Sequence, residues 1–500
     1  MKLNIIVLLL IFTTFCNAQN KTEYISKSEI ENDLKFLDSI FKNQSSYQGL
    51  NGFDYQLDFD KFLKQIDGIK ITESEFGLFL SKTIGQIGDR HSYIKGYDLP
   101  ETLYFQISFA PYKNRVLVLD YNKTNKKYAF WNSDFPYLKS INHIPIEEIL
   151  SKTLPNEKLA PKKSYLLRAV RELRDIETVF SILNIEIPNP LPITLTNEKG
   201  IEKQLNVKLA TDDNKGYLWD ERFHKNNFYF SYKKEKLKDK EIIKQFFSTE
   251  DNIGYIQIVD MLGKDDSPLF FEFLNNFMQK AKETDALIID VRDNGGGTRD
   301  LIQELAGYFI HPDSIYVVNT TRQRGKLPLS IELKERLHSR YLYSKDELNI
   351  IEQNAVDKFM TSFEPMYDLS TEKFSEYYYY VLNGQKITKD KYHYDKPIYI
   401  LANERSFSAA SVLVSVFKDL PNIKTVGVNT DGSSGNSQRF ELPNSGLRGK
   451  ISTMVSFQKN GKILDGIGTE PDIKIKRSLE QIFIKEDYQL NRLIEIIKTE

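Results

Sequence analysis

Two segments dictate most of what this chain can fold into. Residues 286–289 are wholly apolar and lead through Asp290-Val-Arg-Asp-Asn294-Gly295-Gly296-Gly297-Thr298 into a helical pattern over 300–309. Residues 398–402 lead through a short polar turn into Ser408-Ala409-Ala410 and a second apolar helical stretch. A strand that is apolar on both faces needs cover on both faces, which a parallel sheet between layers of helix provides. With a strand at 253–258 and a helix at 268–284, strand and helix alternate from about residue 213 onward, so an α/β fold is expected. At 500 residues, with 40% hydrophobic and 27% charged residues, the chain has an ordinary globular composition. Disorder and coiled coil are thereby excluded, and about three domains are expected.

The remainder divides by periodicity. Residues 19–99 read as helical: Ile30, Leu34, Leu37 and Phe41 form a stripe, and Thr72 with Glu75 forms a capping box opening a helix closed by Gly88. Asp89-Arg90-His91-Ser92 follows on a loop. Residues 100–212 show short β-like runs at 103–109, 116–121, 137–141, 193–196 and 205–209, broken by a helix-like stretch at 164–180. Residues 312–395 interrupt the strand–helix rhythm with a charged helical segment over 343–360 and the aromatic run 377–380, and read as an insertion lining the cleft or packing into the core.

The first residues read as an export signal. Lys2 is a positive n-region, residues 5–12 are unbroken apolar, and Cys16-Asn17-Ala18 offers small residues for cleavage after Ala18. The apolar run is too short to span a bilayer. Cys16 is the only cysteine and leaves with this segment, so neither a disulfide nor a thiol nucleophile is expected. A lipidated Cys16 is the rival reading, and the bulk of Phe15 speaks against it. A periplasmic or secreted protein follows, with no integral membrane segment after cleavage. The net charge is −1, and loss of Lys2 makes it −2, so bulk attraction to nucleic acid is not expected.

Three loops and one histidine carry chemistry. Ser408 stands where a strand turns into a helix, a position that exposes a hydroxyl beside the N–H groups of the helix start. The same pattern also suits a serine that only caps a helix. The glycines 295–297 let backbone approach a ligand closely, as an oxyanion hole or a plain tight turn would require. Asn460-Gly461 marks a hairpin, followed by Asp465-Gly-Ile-Gly468-Thr-Glu-Pro471-Asp472, which alone reads as a loop. The six histidines form neither HxxxH nor HExxH, so no zinc site is expected, nor any other cofactor. His91 stands out because Gly88, Asp89 and Ser92 crowd it on its loop.

In this order, the motifs resemble those of the C-terminal-processing (tail-specific) serine peptidases, whose relatives include the tricorn core peptidase. Ser406-Phe-Ser408-Ala-Ala is similar to that family's nucleophile turn, and residues 290–297 to its Asp-(Leu/Val)-Arg-x-Asn-x-Gly-Gly phrase. Gly468-Thr-Glu-Pro471-Asp472 is similar to its Gly-(Ile/Val)-x-Pro-Asp element, and Asp89-Arg90-His91-Ser92 to its Asp-Gly-His-(Ser/Thr). The resemblance implies a crotonase-like (ClpP/crotonase) core over 213–500, an N-terminal helical region over 19–99 carrying His91, and a small PDZ-like module over 100–212.

The departures set the expected mechanism. One branch of the family has a base lysine in a Thr-Phe-Gly-Lys-Gly phrase. Here the stretch reads Thr430-Asp431-Gly432-Ser433-Ser434, with serine at the lysine position. The tricorn-like branch uses histidine and a carboxylate, which the resemblance assigns to His91 and Asp465. It thus implies a serine peptidase with Ser408 as nucleophile, His91 as general base and Asp465 in support, directly or through water. Ala409 and Gly296 N–H groups would form the oxyanion hole, with Ser433 and Asp89 as accessories. The expected partners are peptide or protein substrates. A carboxylate-binding Gly-Leu-Gly-Phe-type loop is not evident around 99–111, and His143 occupies a position that is usually glycine. Two other classes compete: a degenerate relative that binds peptide or lipid without cleaving it, and a crotonase-like acyl-CoA enzyme, which an export signal disfavours.

Overall fold

The computed structural model describes residues 24–212, 215, 218–221, 240–433 and 435–500. The expected leader, residues 1–18, lies outside them. No helix among the described residues is long and apolar enough to cross a membrane.

Helices Lys27–Gln44, Tyr55–Gln65 and Glu73–Ile84 open the described chain. The capping box expected at Thr72 and Glu75 forms, and a second one, Ser26 with Glu29, opens the first helix. Ile30, Leu34, Leu37 and Phe41 are all buried in one cluster. The middle helix escaped the sequence reading although Asp54 caps it and Tyr55, Phe59 and Phe62 line one face. The third helix stops at Gly85 rather than Gly88. A Cβ at Gly85 would sit 1.7 Å from the Pro155 carbonyl oxygen, so glycine there lets residues 155–157 dock against the helix end. The freed chain then forms the loop that carries Asp89 to Ser92.

Residues 108–207 supply an antiparallel sheet that packs helices Ile146–Thr153, Lys162–Glu172 and Ile176–Leu183 around a cluster of its own. Two of the expected strands shift along the chain, to Ser108–Tyr112 and Glu202–Val207. The single helix expected over 164–180 is two, parted at Arg174 and Asp175.

The central sheet has the order Phe247–Glu250, Ile253–Gln257, Ala286–Asp290, Ile398–Ala402, Ile423–Gly427, Ile473–Lys474. Its first pair is antiparallel and the rest are parallel. Ala286–Asp290 and Ile398–Ala402 are buried at every position, as their apolar runs require. Register aligns Asp290 with Leu401 and Ala402 with Gly427, so three loops leave the sheet at one edge. Ligands bind outside the carboxyl ends of parallel strands in such sheets.

The 312–395 segment is woven into the rest rather than set apart. Its strand Ile315–Gln323 pairs with Tyr378–Asn383 on one side and with Met454–Gln458 on the other. The helix expected over 343–360 forms only as Ile350–Met360, because Asn349 and Glu352 build a capping box that starts it late. Tyr378 and Tyr380 are core residues. A smaller sheet joins Ser437–Glu441, Arg448–Ser452 and Tyr93–Lys95, and pins the chain just after His91 to the core.

Candidate active site

Ser408 ends the turn between strand Ile398–Ala402 and helix Ala409–Phe417. Its φ of 52° and ψ of −124° place a β-substituted residue in a sparsely populated region, a strain of about 1–3 kcal/mol. The turn is held on both sides. Asn403 N–H donates to Ser406 Oγ at 3.1 Å, Ser406 Oγ–H donates to the Val291 carbonyl at 2.8 Å, and Phe407 N–H donates to the Asn294 carbonyl at 2.9 Å. The Ser408 hydroxyl does not cap the helix that follows it, so the capping alternative is not realised. Among the described residues the Ala409 N–H has no hydrogen-bond partner.

The glycine loop approaches from the neighbouring strand. A Cβ on Gly296 would lie 2.6 Å from Ser408 Cβ and 3.0 Å from Ala409 N, so only glycine fits against the turn. The Gly296 N–H, expected to face an oxyanion, donates here to Asn294 Oδ1 at 2.8 Å. The buried Asn294 amide in turn donates to the Ile258 carbonyl at 2.7 Å, which fixes the loop to the first parallel strand.

His91 closes the constellation. Its Nε2 lies 3.4 Å from Ser408 Oγ, and its Nδ1 lies 2.6 Å from Ser433 Oγ. The ring stacks on Phe407 with centroids 5.3 Å apart and planes at 21°. When Ser408 donates to Nε2, the ring proton sits on Nδ1 and is donated to Ser433. Burial pushes the imidazole pKa down to about 3, and the Lys450, Arg90 and Arg340 charges act in the same direction. His91 is therefore a neutral ring at ordinary pH.

Asp89 and Asp465 are buried near one another. Asp89 accepts the His91 N–H at 2.9 Å and the Ser92 hydroxyl at 2.5 Å, and Ser92 Oγ accepts the Ser452 N–H at 2.9 Å. Asp465 is buried and accepts the Tyr47 hydroxyl at 3.0 Å. Burial, with Asp465 nearby, raises Asp89 to about 7. The structure does not bring Asp465 into hydrogen-bond contact with His91; Ser433 occupies Nδ1 instead.

Sequence reasoning missed the charges that fix these loops. Asp431, two residues before Ser433, is paired with Arg90, the neighbour of His91, and with Arg168 at 2.5 Å. Glu157 bonds Arg90 at 3.0 Å and Arg168 at 2.6 Å. The partners come from three distant segments, so no local spacing signals them.

Ser408, His91 and Ala409 open onto a cavity of about 760 Å³, also lined by His338, Arg340 and Lys450. The 312–395 segment thus contributes both to the core and to the cavity wall.

Residues 252–475 match the model of peptidase family S41, which indicates a serine peptidase. The structure of mature CPAF complexed with lactacystin is similar over 95% of this chain and 100% of that chain, with a TM-score of 0.62 at 15% identity. Mature CPAF alone gives a TM-score of 0.61, also at 15% identity, over 95% of this chain and 99% of that one. A Chlamydia pneumoniae protein is 24% identical over 281 residues, which cover 49% of this chain and 43% of that protein. A Chlamydia muridarum protein is 31% identical over 84 residues, 16% of this chain and 14% of that protein. The matched stretches therefore span less than half the length of these curated relatives.

Proposed function

We propose that this chain is an exported serine-type peptidase that hydrolyses peptide bonds in protein or peptide substrates, with Ser408 as nucleophile and His91 as general base. The observation that carries the reading is the 3.4 Å approach of His91 Nε2 to a serine hydroxyl held at a strained turn. Such loose contact is usual before substrate arrives. As Ser408 Oγ attacks the carbonyl, its proton passes to Nε2 and is later delivered to the leaving amine. The Ala409 N–H donates to the developing oxyanion, a contribution of about 3 kcal/mol where such donors have been removed. Gly296 joins it once its N–H turns from Asn294 toward the substrate.

In this reading Ser433 accepts the Nδ1 proton and holds the ring orientation, which is the place of the carboxylate in other triads. Asp465 supports the site from behind through Tyr47, and Asp89 fixes the His91 main chain. The basicity of His91 rises when the negative oxyanion forms beside it, because an adjacent negative charge favours imidazolium. The catalytic part is read as a crotonase-like core and residues 100–212 as a PDZ-like module. The leader at 1–18 supports delivery to the periplasm or beyond.

Hydrolysis of an unstructured protein such as casein tests the proposal. The wild-type chain should release acid-soluble peptides, and both Ser408→Ala and His91→Ala should release none. Equal release by all three would assign the activity elsewhere, and its absence from the wild type over a broad peptide library would favour a binding protein.

A further inference from the structure

Charge is distributed unevenly around the cavity in front of Ser408. Arg340 and Lys450 reach it from two different elements, the chain after helix Ile331–His338 and strand Arg448–Ser452. The Arg340 guanidinium donates to the Arg336 carbonyl at 2.7 Å. Its own carbonyl is held by Arg299 Nη1 at 3.1 Å, and Arg299 lies over the Tyr380 ring, so Arg299 serves as a prop behind Arg340. Lys450 lies directly opposite Arg439 in the strand register, with its ammonium 5.9 Å from the Tyr93 ring centroid.

Like charges directly opposite across a sheet are destabilising. The charged groups acting on Lys450 are Arg439, Lys95 and Arg340, and the one acting on Arg340 is Arg336. Every one of them is a cation. Among the described residues, no carboxylate forms an ion pair with Arg340, Arg439 or Lys450. The carboxylates of the cavity gather elsewhere, around Gly263 and Thr298. There Asp300 accepts the Lys264 N–H at 2.9 Å and the Tyr341 hydroxyl at 2.8 Å, while Asp265 and Asp266 are exposed. Cations gathered without counterions at the edge of a cleft attract an anionic group, and hydrogen bonds to a charged acceptor are the stronger kind.

We propose that Arg340 and Lys450 form a subsite for a substrate carboxylate beside Ser408, selecting peptides with an aspartate or glutamate side chain, or a free C-terminal carboxylate, close to the cleaved bond. This inference rests on the peptidase reading of Ser408. It makes Arg340 and Lys450 determinants of specificity, in addition to their effect on the His91 ring.

Matched peptide pairs on the full chain test it: aspartate against asparagine, glutamate against glutamine, and C-terminal acid against carboxamide. The wild type should cleave the acidic member with a kcat/KM about tenfold higher or more, as expected for a charged hydrogen-bonded contact. Which pair shows the preference identifies the side chain or the terminus as its source. Arg340→Met with Lys450→Met should reduce the preference to about twofold or less, while a neutral fluorophosphonate still labels Ser408, reporting an intact site. Lys450→Glu should turn the preference toward basic peptides. Equal rates for the pairs in the wild type, or a preference unchanged in the double variant, would overturn the subsite. Absence of both cleavage and labelling would instead remove the peptidase reading. Calorimetric binding of the same pairs to the Ser408→Ala chain then decides the subsite separately: tighter binding of the acids supports it, and equal binding refutes it.

Discussion

Ser408 Oγ and His91 Nε2 stand 3.4 Å apart although 317 positions separate them in the chain. Neither loop could hold its residue alone. The serine is fixed by its strand, helix and the glycine loop beneath it, and the histidine by a short strand paired to Arg448–Ser452 and by Arg90 on Asp431.

Strain at Ser408 gives a stability prediction independent of activity. At φ 52° and ψ −124°, glycine avoids the penalty that alanine retains. Ser408→Gly should therefore be more stable than Ser408→Ala by about 1–3 kcal/mol in urea unfolding, with both inactive. Equal stabilities would mean that the turn relaxes in solution.

Gly296 is a steric matter. A methyl group there meets Ser408 Cβ at 2.6 Å and the Phe407 carbonyl oxygen at 2.9 Å. Gly296→Ala should lower kcat about 100-fold or more, since misplacement of reacting groups by an ångström costs that much. Gly446→Ala meets nothing within 4 Å and should change stability, through its φ of +66°, without changing kcat.

The ion cluster of Asp431, Arg90, Arg168 and Glu157 ties the loops of both site residues to the 108–207 sheet region. Removing one partner from a buried cluster strands the others. Asp431→Asn should destabilise the chain by about 3–5 kcal/mol. Its remaining activity should fall with kcat rather than KM, because the His91–Ser433 contact loosens. A variant with wild-type melting and kcat would contradict this.

His91 should not titrate near 6.5. Its folded pKa is depressed to about 3, so between those values the unfolded chain binds the proton and the folded chain does not. Stability associated with this residue is complete above 6.5 and declines as pH falls toward 3. Histidine-labelled NMR should show a neutral ring at pH 5, and His91→Gln should make the melting temperature less sensitive to acid across that window. An imidazolium signal with a midpoint near 6.5 would refute the buried, cation-flanked environment.

Much of this was legible in the chain itself where physics is local. Continuous apolar strands announced the parallel sheet, and a serine after a polar turn announced the strand-to-helix junction at Ser408. The capping box at Thr72 located one helix, and the stripe of Ile30, Leu34, Leu37 and Phe41 another. What escaped notice depends on tertiary pairing. The 312–395 segment looked like an insertion because its partner strand, Met454–Gln458, lies far along the sequence. Ser433 was visible as the residue in place of a lysine, yet its 2.6 Å contact with Nδ1, rather than one from Asp465, depends on how the 428–433 loop leaves the sheet. Arg90 and Asp431 carry no pattern that reveals their pairing.

The most direct measurement is intact-mass and peptide mapping of the full chain after treatment with a fluorophosphonate. A single adduct on Ser408 is expected, lost in Ser408→Ala and slowed by on the order of 10³-fold in His91→Ala. An adduct on another serine, or no adduct on a folded wild-type chain, would contradict the assignment of Ser408 and His91.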